Sequence, residues 1–264
     1  MNTKISLLRI VLSYFCIIHF ALTFRQKPIY LMNKKSTYKM ATNSLEGLSQ
    51  SRESLKTKLF SLAAAVDRGF GAKSFERDEI LSIVDELKNM SPNAIPTVGL
   101  YPNNSAEQIA PIEGVWKMVY TTAFDVLTLN ASPLTIVQSI YQVINKDGTS
   151  LNIIDLAPRF EALLPVGLPQ GLGRSTLRLK VKTFAQARSR SNRVGLNFLG
   201  ASARPLTALG IDATALPALG FDFPQLNLFG GSENSTRDDS PGFFDILYLD
   251  ENCLIISQNE PGGT

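Results

Sequence analysis

Histidine and cysteine are nearly missing from this chain. Of 264 residues one is histidine and two are cysteine, and His19 and Cys16 both sit in an apolar run near the N-terminus. Without that run no imidazole remains and Cys253 is the single thiol. These shortages exclude an intramolecular disulfide, a histidine-based nucleophilic triad and a zinc site built on imidazole. Acidic residues are missing from one end: residues 1–40 hold seven Lys or Arg and no Asp or Glu. Taking those seven from the 26 basic residues leaves nineteen against 23 acidic ones, a balance near −4. A mildly acidic body argues against nucleic acid as a partner. Long apolar runs are lacking too, since residues 10–22 fall short of the ~20 needed to span a bilayer. What the chain does have is a hydrophobic fraction of 44%, ordinary for a globular core.

Residues 1–23 have the basic start, apolar centre and small residues of a signal peptide, with cleavage expected before Phe24. A retained signal anchor is the alternative. Residues 24–44 open on Phe24, hold five basic residues and no acid, and have the composition of a transit peptide. The pair resembles the two-part presequences that address proteins to secondary plastids. A secreted protein with a basic tail is the competing reading.

A helical hairpin is expected over residues 45–91. Leu48, Leu55, Leu59, Leu62 and Val66 mark one apolar stripe. Gly69 is placed to end that helix, and Ser74 to cap a second one whose stripe is Ile80, Ile83, Val84 and Leu87. Residues 92–113, with four prolines, read as a linker wrapping one end of a downstream β domain.

From residue 114 the period changes from helical to two. Gly114-Val115-Trp116-Lys117-Met118-Val119-Tyr120-Thr121-Thr122 alternates and carries the only tryptophan, which suits the first strand of a barrel. Further strands are expected over 137–145, 150–156, 176–187, 194–203, 243–249 and 253–258, with Asn145-Lys146-Asp147-Gly148 as a hairpin turn. The segment 176–182 places apolar residues inward and Arg178, Lys180 and Lys182 outward. Residues 157–173 and 204–242 break the pattern and read as loops, either packed or touching a membrane. The fold class is therefore mainly β (α+β): a closed antiparallel barrel over residues 114–264 behind a short helical hairpin.

Several of these pieces together resemble the plastid lipid-associated proteins, or fibrillins. The matching residues are Leu55-Lys56, Asp67-Arg68-Gly69, Pro92, Pro96-Thr97, the 114–122 stretch and Gly242-Phe243-Phe244-Asp245-Ile246-Leu247-Tyr248-Leu249-Asp250-Glu251. The resemblance implies a lipocalin-like barrel that binds or sequesters hydrophobic molecules such as carotenoids, quinones or acyl lipids at plastoglobules or thylakoids. A coat protein of plastid lipid droplets without an internal ligand is the alternative, and a barrel enzyme acting on an isoprenoid or oxylipin a third reading. No catalytic residue, metal or cofactor comes with it. Relatives place arginines in the last strand, where one could cover the tryptophan; residues 253–258 here have none. The expected pocket lining is Trp116, Met118, Tyr120, Ile140, Leu179, Phe198, Phe243 and Tyr248.

Overall fold

The computed structural model describes residues 29–34, 46–105, 107–123, 126, 127, 129, 132–163, 174–188, 190–222 and 242–259. Residues 1–23, the flanks of 29–34 within 24–44, and loop residues 164–173 and 223–241 lie outside them. In chain order the elements are β1 (Ile29–Lys34), α1 (Glu46–Ala65), α2 (Ser74–Lys88), β2 (Gly114–Thr121), β3 (Thr135–Ile144) and β4 (Thr149–Pro158). They continue with β5 (Thr176–Ala187), β6 (Arg193–Ala208), β7 (Ile211–Asp212), β8 (Leu219–Asp222), β9 (Phe243–Leu249) and β10 (Cys253–Asn259).

Every strand pairing among the described residues is antiparallel, and β5-β4-β3-β2-β1-β10-β9-β6 returns to β5 as a closed eight-stranded ring. Closure pairs each stave with a neighbour on both sides. The 114–121 strand is the second in the chain, not the first. Ahead of it, Ile29–Lys34 slots between β2 and β10, with Tyr30 opposite Thr121 on one side and Ile256 on the other. The presequence-like stretch therefore supplies a stave, which its cationic composition hid. Residues 204–222 also differ from the loop expectation, because β6 runs on to Ala208 and then pairs with β7 and β8.

The helices cover one outer side of the ring. Leu59, Ala63, Val66, Ile80, Ile83, Val84 and Leu87 pack on Leu31, Tyr120, Tyr248, Cys253 and Ile255. Burying each large side chain is worth about 1.5–3 kcal/mol. Ser74 does not cap α2; the cap position is Lys73, whose N–H donates to Glu76 Oε2 at 2.7 Å. Between the helices a short turn (Asp67–Gly69) wedges into the wall. β2 pairs with β3 only from Gly114 to Lys117, and beyond that the strands diverge. Arg68 fills the gap by donating to the carbonyls of Val137 (2.9 Å) and Gln138 (3.0 Å). Gly69 has φ +100°, and a Cβ there would run into the Thr121 carbonyl oxygen.

The linker closes one end of the barrel. Asn93 Nδ2 donates to the Leu249 carbonyl and Thr97 Oγ1 to that of Ser191, while the Tyr101 N–H donates to the Lys146 carbonyl. Leu100 and Ile112 drop from it into the barrel core. No helix among the described residues is long and apolar enough to cross a membrane.

Candidate functional site

The wall has two buried faces, and β-bulges decide which residue reaches which. Trp116, Met118, Ile140 and Leu179 join the core inside the ring, where Met118 stands opposite Met32. Trp116 is fully buried, and its indole N–H donates to the Ile112 carbonyl at 2.8 Å. The linker thus lies over the tryptophan, and the last strand, which has no arginine, contributes no cation there.

Tyr120 and Tyr248 face the other way. Leu31 opposes Tyr120 and Met32 opposes Met118, so Val119 is an extra residue that turns the following side chain outward. In β9, Ile255 opposes Tyr248 and Ile256 opposes Ile246, and Leu247 is the extra residue. Both tyrosines therefore lie under the helices and not within the barrel. Phe243 is outside as well, beneath the Arg193 guanidinium at 4.0 Å from the ring centroid. Phe198 stands opposite Thr183, where β6 carries an extra residue, and is 48% exposed. Of the eight expected lining residues, four pack in the interior core, while the ladder puts Phe198 on the same strand face as Leu196 but outside that core.

Tyr248 belongs to a polar junction joining helix to barrel. Lys56, nearly buried, donates to Asp250 at 2.7 Å and to Glu53 at 2.9 Å. Asp250 also accepts from the Tyr248 hydroxyl and from the N–H groups of Asn252 and Cys253. Burial alone would lower the Lys56 pKa, but the hydrogen bonds to Asp250 and Glu53 outweigh it and hold the pKa above its usual value. Burial likewise opposes ionisation of Asp250, and Lys56 and Tyr248 overcome it to hold that carboxyl below the usual range. This is a structural clamp, and it brings together residues from the two ends of the matching pattern.

The outer carboxylates are similarly engaged. Arg178 forks onto Asp155 at 2.7 and 2.8 Å, and Arg193 onto Asp245 at 2.7 and 3.0 Å. Asp155 also accepts from Ser139 Oγ.

At the end opposite the linker the rim is apolar. Leu134, Phe160, Leu209 and Ile211 are exposed there. They are gathered by the Thr135–Pro158 pairing and by the Leu209 N–H donating to Ser175 Oγ at 2.9 Å. A cleft of about 370 Å³ opens beside them, lined by Ile136, Val137, Ala157 and Pro158 with Glu161 and Arg174. From the rim, Leu177 faces Leu156, and Leu179 lies one inward step deeper.

Sequence reasoning missed three buried polar residues of the inner face, Gln142, Ser150 and Thr183, beside which the half-buried Asn152 stands opposite Gln142. Gln142 shares the inner face with Ile140 and Ile144, and Ser150 stands opposite Ile144 and Thr183. Counting by two from Ile140 would have placed Gln142 inside.

The family profile PAP_fibrillin matches residues 53–198, more than half of the chain. Plastid lipid-associated protein 1, chloroplastic, from Brassica campestris is 30% identical over 124 residues, which cover 46% of this chain and 35% of that protein. The match thus spans about a third of that relative's length. No solved structure matches the chain. The profile covers most of the helical hairpin, the linker and the wall from β2 into β6, and the chain belongs to the PAP_fibrillin family, the plastid lipid-associated proteins.

Proposed function

We propose that the chain is a plastid lipid-associated protein that attaches to a plastoglobule or thylakoid surface through its apolar rim. There it holds hydrophobic molecules, among carotenoids, quinones and acyl lipids, within the barrel. The observation carrying this reading is that the exposed rim of Leu134, Phe160, Leu209 and Ile211 continues inward through Leu177 and Leu156 into an apolar interior. Exposed apolar patches of this kind mark contact surfaces, and hydrophobic ligands favour pockets lined by apolar and aromatic groups. Met32 and Met118 give the interior side chains that repack readily around a guest. The plastid destination rests on the name of the Brassica relative and on the signal-like and basic residues ahead of β1.

Co-flotation of the full chain with galactolipid vesicles tests the attachment. The triple substitution Leu134→Ser, Phe160→Ser and Ile211→Ser should reduce the floated fraction at least tenfold. Undiminished flotation of that variant would remove the rim from the proposal. The coat-protein reading keeps flotation but predicts no interior guest, and Trp116 fluorescence separates the two.

A further inference from the structure

We infer that the interior, near the end closed by the linker, carries a polar subsite for the head of a hydroxyl-bearing hydrophobic molecule. The inference rests on the proposed interior binding. Gln142, Ser150 and Thr183 are 6%, 3% and 1% exposed, yet Gln142 Oε1, Ser150 Oγ and Thr183 Oγ1 have no hydrogen-bond partner among the described residues. Leaving a buried polar atom unpaired costs about 1–3 kcal/mol, so three together call for an occupant.

The ladder makes them one cluster. Ser150 is directly opposite Thr183, which puts the two Cβ atoms roughly 4.5–5.5 Å apart. Gln142 is opposite Asn152 and so diagonal to Ser150, on the next rung. The β3–β4 pairing is unbroken from Ile140 to Ile144, and the β4–β5 pairing from Ser150 to Leu156. The shift at Lys182/Thr183 on the other side of β5 comes from an extra residue in β6, not in β5. All three side chains therefore share the inner face with the core residues Ile140, Leu156 and Ala185. Trp116 pairs directly with Gln142, which places the indole on the same rung as the cluster.

The atoms specify the chemistry. Gln142 Oε1 only accepts, whereas the Ser150 and Thr183 hydroxyls each donate and accept. A hydroxyl head can give its proton to Gln142 and take one from Ser150 or Thr183. A hydrocarbon does neither, and a carbonyl head leaves Gln142 unpaired. The occupant is thus a prenyl alcohol, a quinol or a comparable lipid with a free hydroxyl, its tail running along the apolar interior toward the rim.

The test uses the full chain, in which Trp116 is the only tryptophan. Quenching of its emission by a decyl-substituted benzoquinone is displaced by either phytol or phytane, which share a carbon skeleton and differ by the hydroxyl. Phytol is expected to displace the quinone at a concentration at least tenfold lower than phytane. The variant Gln142→Leu, Ser150→Ala, Thr183→Val should bring the two to within about twofold of each other. Ser150→Ala alone, the smallest change, should narrow the gap part of the way and guards against misfolding of the triple variant. Equal displacement by both compounds in the unmodified chain, or a phytol advantage that survives in the variants, overturns the subsite and assigns the cluster to buried water. In that case quenching by the quinone still supports an interior guest. If the quinone does not quench at all, both the subsite and the interior-binding proposal fall.

Discussion

Lys56 shows how much one side chain can hold. Its ammonium lies between Asp250 and Glu53 where α1 meets the β9–β10 turn. Lys56→Met should destabilise the fold by about 3–5 kcal/mol in urea unfolding, because it leaves the Asp250 carboxylate without its cation. The junction also sets a pH window. Asp250 titrates lower in the fold than its ordinary 3.8, so its contribution is present above that value and is lost as pH falls through the folded pKa. Lys56 titrates higher than its ordinary 10.5, so its contribution is present below that value and is lost as pH rises through the folded pKa. The unfolding midpoint should change little on account of this pair between about pH 4 and 10.5 and drop outside it; Lys56→Met should flatten the alkaline drop. At this scale alternation identified Trp116, Met118, Ile140 and Leu179 as interior residues. It failed for Tyr120 and Tyr248, because one extra residue in a strand reverses every later side chain and leaves no mark in composition.

Among the elements, the interhelical turn and the helix layer make separable predictions. Arg68→Ala removes two hydrogen bonds from a charged donor and should cost about 3 kcal/mol in the same assay. Gly69→Ala should cost at least as much, since the new methyl meets the Thr121 carbonyl. The helix layer is also what shields Cys253, which is fully buried beneath it, with burial pushing its thiol pKa up. In a chain carrying Cys16→Ser, a disulfide reagent should label Cys253 far more slowly than a free thiol. Leu59→Ala, costing about 2–5 kcal/mol through the cavity it leaves, should speed that labelling. Both helices and most strands were legible from periodicity. The β7 and β8 strands were not, because proline and leucine in 204–222 mask a short ladder whose partner is distant in sequence.

For the whole molecule, the least legible feature was β1. Its six residues are flanked by cationic sequence on both sides, and local pattern alone assigns them to an address signal. Pairing with β2 and β10 is long-range information that no window of sequence contains. A chain beginning at Ile29 should unfold cooperatively and resist proteolysis. One beginning after Lys34 should lose the β2–β10 bridge, expose Leu31's neighbours Tyr120 and Ile255, and be cut readily. Equal resistance of the two would show that the ring closes without β1.

That arrangement also fixes an order in time. Ile29 pairs with Ser257, so β1 is made before every other element of the ring and its partner β10 after all of them. The hairpins from β2 to β6 can zip up as they appear, yet the ring stays open until β10 arrives. A chain threaded N-terminus first through any narrow passage therefore delivers its lock early and its key late, and cannot trap a guest behind a finished wall before β10 has emerged.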